Sequence, residues 1–108
     1  MDDFRGKLKE EPSLFTRMFS IIGCKNDYAL SIQASFFHES EPKETLKDVY
    51  KYKSWDLTIY KNNIWFKVDE SDLPSWIKEL FPENSYSNVG FVSTEIVQKI
   101  YEYLNQEE

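Results

Sequence analysis

The sequence is poorest in the residues on which most cofactor and redox chemistry depends. Cys24 is its single cysteine, so there is no internal disulfide, no CxxC redox pair and no zinc site built on two thiolates; a reducing, cytoplasmic compartment fits that usage. Three glycines, Gly6, Gly23 and Gly90, fall in no GxGxxG or GxxxxGK frame, which excludes the familiar phosphate-cradling loops. No window approaches the roughly 18–20 consecutive apolar residues of a membrane span. The opening MDDFRGKLKEEPSLF mixes acids and bases, where a secretory signal has a basic start followed by an apolar core. Positive charge is also short, with 13 Lys and Arg against 19 Asp and Glu and a net charge of -6.

That imbalance is uneven along the chain. Residues 1–25 hold five bases and four acids, which leaves eight bases and fifteen acids, a net of -7, for residues 26–108. A field of that sign repels phosphate backbones, whose binding relies on Lys and Arg displacing counterions, so direct nucleic-acid binding is disfavoured. The same field speeds association with a basic protein, although acidic soluble proteins without such a partner are common.

What the sequence has in abundance is aromatic side chain, with 8 Phe, 7 Tyr and 3 Trp making up 17% of the 108 residues. Each ring can bury about 150–250 Å², enough together to supply much of a core, and a chain of this length makes one domain, spanning residues 1–108.

Periodicity places the elements. Leu14, Phe15, Met18, Phe19 and Ile22 fall at helical spacing, with Ser13 as N-cap and Gly23 as stop, which predicts a helix over 13–22. From Tyr28 to Phe36 the period is two, with Tyr28, Leu30, Ile32, Ala34 and Phe36 on one face of a strand. Residues 38–44 read as a connection and 45–53 as a strand, though Leu46, Val49 and Tyr50 also suit a short helix. Trp55, Leu57 and Ile59, the turn Lys61-Asn62-Asn63, and Ile64, Phe66 and Val68 predict a hairpin. A helix is expected over 72–81, started by Pro74 and ended by Pro82, then a loop over 83–92 with a short extended piece at 89–92. A final helix runs from Ser93 or Thr94 to Asn105, burying Ile96, Val97, Ile100, Tyr101 and Leu104. The expected class is α+β, an antiparallel sheet of about four strands with N-terminal and C-terminal helices packed on it.

Few of these residues offer chemistry. His38 beside Glu39 and Glu41 fits a general base oriented by a carboxylate, or a surface histidine where a strand meets a loop, and no local nucleophile completes a triad. Cys24 next to Lys25 fits an activated thiolate or a small buried hydrophobe. Asp69, Glu70 and Asp72 lack the glycine and the twelfth-position Glu of an EF-hand. No cofactor, resident metal or enzymatic activity is expected.

The most one-sided stretch lies between Asp69 and Glu95, where Asp69, Glu70, Asp72, Glu79, Glu83 and Glu95 face one base, Lys78. On a helix over 72–81, Asp72, Trp76 and Glu79 follow i, i+4, i+7 spacing and share a face, with Glu83 near the same line and Tyr86 in the following loop. Trp and Tyr serve as interface anchors and acids steer a basic partner, so Asp69, Glu70, Asp72, Trp76, Glu79, Glu83 and Tyr86 form the expected partner-binding set. The alternative is that Trp76 turns inward and the acids form an ordinary solvated face.

A small acidic α+β chain rich in Tyr, Phe and Trp, with one cysteine and no catalytic constellation, resembles the immunity proteins of bacterial contact-dependent growth inhibition and other polymorphic toxin systems. The likeness lies in the character of the whole chain, and no residue role is carried over. It implies a cytoplasmic inhibitor that covers the active site of a cognate toxin domain, often a nuclease with a basic cleft. The other expectation is a structural or regulatory interaction subunit, homodimeric through a strand edge or the Trp55/Trp65 face of the hairpin.

Overall fold

The computed structural model describes residues 2–106. Strands β1 (Glu10–Glu11) and β2 (Met18–Phe19) form a two-stranded ribbon. Strands β3 (Ile22–Gly23), β4 (Tyr28–Gln33), β5 (Ser54–Lys61) and β6 (Asn88–Ser93) form a four-stranded antiparallel sheet in that order. Helix α1 is a single turn, Ser75–Lys78, and α2 spans Thr94–Leu104. The α+β class and the four-stranded antiparallel sheet therefore stand as expected from the sequence.

The core is where the period-two and period-3.6 patterns meet. Leu30 and Ile32 of β4, and Trp55, Leu57 and Ile59 of β5, are fully buried with Val97 and Ile100 of α2. Ser93 caps α2, its side chain accepting from the Ile96 N–H at 3.3 Å, so this helix starts where its cap residue allows. Trp55 donates its indole N–H to Thr94 Oγ1 at 3.0 Å, which satisfies the one polar atom of the largest buried side chain. Phe4 packs edge-on against the same indole, ring centres 5.3 Å apart.

At the N-terminus the helical element is a 3-10 turn, Phe4–Lys7, and residues 13–22 are not helical. The helical spacing there lost to a competing set of partners. The Gln33 side chain accepts the Phe19 N–H at 2.8 Å and donates to the Phe19 carbonyl at 2.9 Å, acting as a surrogate strand for β2. Arg17 runs inward, its guanidinium donating to the carbonyls of Ala34 and Leu46 and to the Tyr52 hydroxyl. A ten-residue helix is marginal by itself, and it is α2 that packs its apolar stripe into the core with β5 and β6. Leu14 and Phe15, two of the apolar residues at helical spacing, are 99% and 85% exposed.

Three further expectations are corrected. The chain does turn at Asn62-Asn63, both left-handed with φ 54° and 66°, the geometry of a tight hairpin turn. The returning segment, however, pairs with β5 only at Lys61–Ile64; the position beside β5 belongs to β6, and Trp65 is left 60% exposed. Residues 45–53 form a 3-10 turn, Val49–Lys51, capped by Asp48, and not a strand. The strand expected to Phe36 ends at Gln33, and Phe36 lies on the surface.

Strand β6 carries a bulge: Trp55 pairs with Val92 and Leu57 with Val89, so Gly90 and Phe91 together oppose Asp56. A Cβ at Gly90 would lie 2.4 Å from the Glu39 Cβ, which restricts that position to glycine. Phe91 has φ 55°, rare for a bulky residue and worth about 1–2 kcal/mol of strain, and its N–H is held by the Glu39 carbonyl at 2.8 Å.

Candidate protein-binding surface

Because α1 is one turn, Asp72 precedes it in extended chain and the helical alignment of Asp72, Trp76 and Glu79 does not exist. Pro74 occupies the cap position, and Glu79 ends the turn. Within that turn Ile77 is fully buried, which sends the adjacent Trp76 outward. Trp76 stays 37% exposed and rests edge-on against Tyr103 of α2, ring centres 5.9 Å apart and planes at 88°. The indole is thus neither interior nor free, but held at the surface on a second aromatic.

Asp72 reaches the same neighbourhood by a different route. The Tyr28 hydroxyl, at the start of β4, donates to Asp72 Oδ1 at 3.2 Å. Burial, then this bond to the carboxylate, pushes the Tyr28 phenol up to about 12, so it remains a donor. Lys61 Nζ sits 4.1 Å from the centre of the Tyr28 ring, and Phe66 packs against its edge.

The Tyr28–Asp72 pair forms a ridge between two clefts. One, of about 550 Å³, is bounded by Asn26, Tyr28, Lys61, Asp72 and Tyr103; the other, of about 450 Å³, adds Phe66, Lys67 and Glu70. Asp72 lines both clefts and Glu70 the second, while Trp76 lies outside them and is linked to the first through Tyr103.

Asp69, in the 3-10 turn Val68–Glu70, instead accepts the Asn84 N–H at 2.8 Å, which ties that turn to the loop carrying Glu83. Tyr86 is 55% exposed, its backbone bridged to Lys67. Glu79 and Glu83 are exposed and belong to neither cleft.

Among the described residues the ion pairs are Arg5–Asp3, Lys7–Asp2 and Arg17–Glu10, all toward the N-terminus. Asp69, Glu70, Asp72, Glu79 and Glu83 take part in none of them. Lys61 and Lys67 line the clefts beside Asp72 and Glu70, so the surface is acidic at its rim and mixed within.

No protein-family model, curated protein or solved structure matches this chain. The geometry of the chain itself therefore carries the reading of its surfaces.

Tyr28, Tyr103, Lys61 and Phe66 are the site residues that sequence reasoning missed. Tyr103 left a trace, an aromatic outside the buried stripe of α2 and beside Leu104. Tyr28 left none, since period two assigned it to the buried face.

The two residues singled out for reactivity are both held by structure. Ser35 Oγ lies 2.7 Å from His38 Nδ1, yet Ser35 is fully buried and its oxygen already accepts from Thr16 Oγ1 at 2.9 Å and the Phe37 N–H at 3.0 Å. The imidazole is thus held by a part-buried hydroxyl network of Ser35 and Thr16. Burial depresses the His38 pKa against the opposing pull of Asp56, with Arg17 adding to the depression. Cys24 is half-buried, and burial raises its thiol pKa while Asn105 Nδ2, 3.4 Å away, partly offsets this. That is the protonated, weakly nucleophilic form. Among the described residues no three of His, Cys, Asp and Glu converge as metal ligands, and no helix is long and apolar enough to cross a membrane.

Proposed function

We propose that this chain is a cytoplasmic protein-binding inhibitor of the immunity type, which masks the basic active site of a toxin domain, nuclease-like in charge, without catalysing a reaction. The observation that carries the reading is Trp76, exposed and braced edge-on by Tyr103, whose ring also lines the cleft that holds Asp72, in a stretch whose acids lie outside the ion pairs among the described residues. A half-exposed indole fixed by a second ring loses little conformational freedom on binding, the property of an interface anchor. Asp69 and Asp72 accept from neutral donors, the Asn84 N–H and the Tyr28 hydroxyl, and with Glu70, Glu79 and Glu83 lie outside the ion pairs among the described residues. They can therefore meet Lys and Arg across an interface, where truncating a desolvated pair costs on the order of 2–5 kcal/mol. The Lys61 ammonium, which keeps hydrogens beyond the one given to the Asn26 carbonyl, supplies donors for carbonyls of the same partner.

The experiment is capture of a cationic protein from the native cell, followed by titration of that protein with wild-type chain and with Asp72→Lys/Glu79→Lys. Binding should weaken by at least tenfold in the double reversal and by a similar factor in Trp76→Ala. Unchanged affinity and salt dependence in both variants would remove this surface from consideration.

A further inference from the structure

We propose that a second surface, built on Leu14 and Phe15, joins two copies of this chain as a two-fold dimer. Leu14 is 99% exposed, Phe15 85%, Phe36 55% and Phe37 65%, and Phe36 and Phe37 pack edge-to-face with ring centres 6.1 Å apart. Phe15 stands between two concavities. One, of about 650 Å³, is shared with Leu14, Phe36 and Thr45; the other, of about 370 Å³, with Met18, Phe37 and His38. The four side chains are thus one continuous patch.

Its base is rigid. Thr16 is tied to Ser35, and Arg17, with its side chain 9% exposed, is bonded to Ala34, Leu46 and Tyr52. Leu14 and Phe15 are therefore presented by an anchored bend between β1 and β2, so ordering them at an interface costs little entropy.

Three observations select a second copy as the occupant. Taking about 200 Å² for each fully exposed side chain, the patch offers roughly 600 Å², the upper limit for an ordinary monomer surface. Buried on both copies, with polar rim added, that reaches the roughly 1,200 Å² at which specific interfaces begin. Secondly, a two-fold interface requires a self-complementary surface, and this one carries a knob, Phe15, beside hollows able to take a ring. Thirdly, the rim of the larger hollow holds both signs, Glu10 and Glu11 from β1 and Lys47 from the loop before Val49. Across a two-fold axis the acids of one copy meet Lys47 of the other, whereas an anionic lipid surface would be repelled by Glu10 and Glu11. The charge is close to balanced here, so two copies of net charge -6 repel least at this face.

Phe36 lies just beyond the C-terminal end of β4 and Tyr28 at its start, so the dimer leaves the Trp76 surface open. The inference stands apart from the inhibitor reading, and either can fail without the other.

Sedimentation velocity of the full chain across micromolar concentrations tests it. Wild type should sediment as a dimer, and Phe15→Asp and Leu14→Ser should each weaken association roughly tenfold or more with an unchanged melting temperature, as both side chains lie outside the core. Lys47→Glu should weaken the dimer, and combining it with Glu11→Lys should restore it. A wild-type monomer throughout, a dimer indifferent to Phe15→Asp, or a monomer captured through Phe15 by anionic vesicles would each overturn the proposal.

Discussion

His38 illustrates how a single side chain can look reactive in sequence and prove structural in three dimensions. Its Nδ1 lies 2.7 Å from the buried Ser35 hydroxyl, which also meets the Thr16 hydroxyl and the Phe37 N–H. With the folded pKa depressed below the ordinary 6.5, the unfolded chain takes up the proton first as pH falls. The stability due to neutral His38 is complete above 6.5 and is lost as pH drops through the folded value. Urea midpoints should thus fall between neutral pH and about pH 5 more steeply in wild type than in His38→Asn. A histidine pKa at or above 6.5 by NMR would contradict that depression. Gln33 works at the same scale. It is 4% exposed and holds both backbone groups of Phe19, so Gln33→Leu leaves a buried N–H and a buried carbonyl unpaired. The expected loss is about 2–4 kcal/mol by denaturant unfolding, with Gln33→Glu recovering only the acceptor half.

At the scale of elements, the turn expected at Asn62-Asn63 is present while the strand expected after it is not. The Lys25–Tyr28 and Lys61–Ile64 turns each place two consecutive Asn or Asp residues in the left-handed region, Asn26-Asp27 and Asn62-Asn63. These are residues whose short polar side chains tolerate positive φ. The first joins β3 to β4, while the second is followed by chain that leaves the sheet. Asn63→Val should cost about 1–2 kcal/mol through the left-handed backbone, whereas Asn63→Gly should cost nothing or stabilise slightly; equal midpoints for the two variants would contradict the strained geometry. The 13–22 segment shows the opposite behaviour. Its local spacing favoured a helix, but Arg17 and Phe19 found partners only a distant strand and loop could provide, and those contacts prevailed.

For the whole molecule the separation of charge from apolar surface matters most. Ion pairs among the described residues gather toward the N-terminus, and the acids of residues 69–83 lie elsewhere. A partner steered by those acids should bind less tightly as salt rises, because exposed charges are screened beyond about 10 Å at 0.1 M. In Asp72→Lys/Glu79→Lys each reversal adds two charges, moving the net from -6 to -2, so the salt dependence of partner binding should flatten. Dimer formation through the Leu14–Phe15 patch should be the same in that variant and in wild type. If both surfaces respond to the acid reversals alone, the molecule has one interface and not two.

Composition and periodicity by themselves determined the α+β class, the buried face of β5, the C-terminal helix and the turn at Asn62-Asn63. Each of these follows from contacts within a few residues or from a repeat of two or 3.6. The acidic stretch around Trp76 was legible too, since charge and ring are properties of the residues themselves. Only the tertiary structure decided that β6 takes the place beside β5, that Tyr28 and Tyr103 frame Asp72 and Trp76, and that Leu14 and Phe15 face outward. Those outcomes depend on which distant group reaches a backbone donor or an apolar face first, and such competition leaves no local pattern.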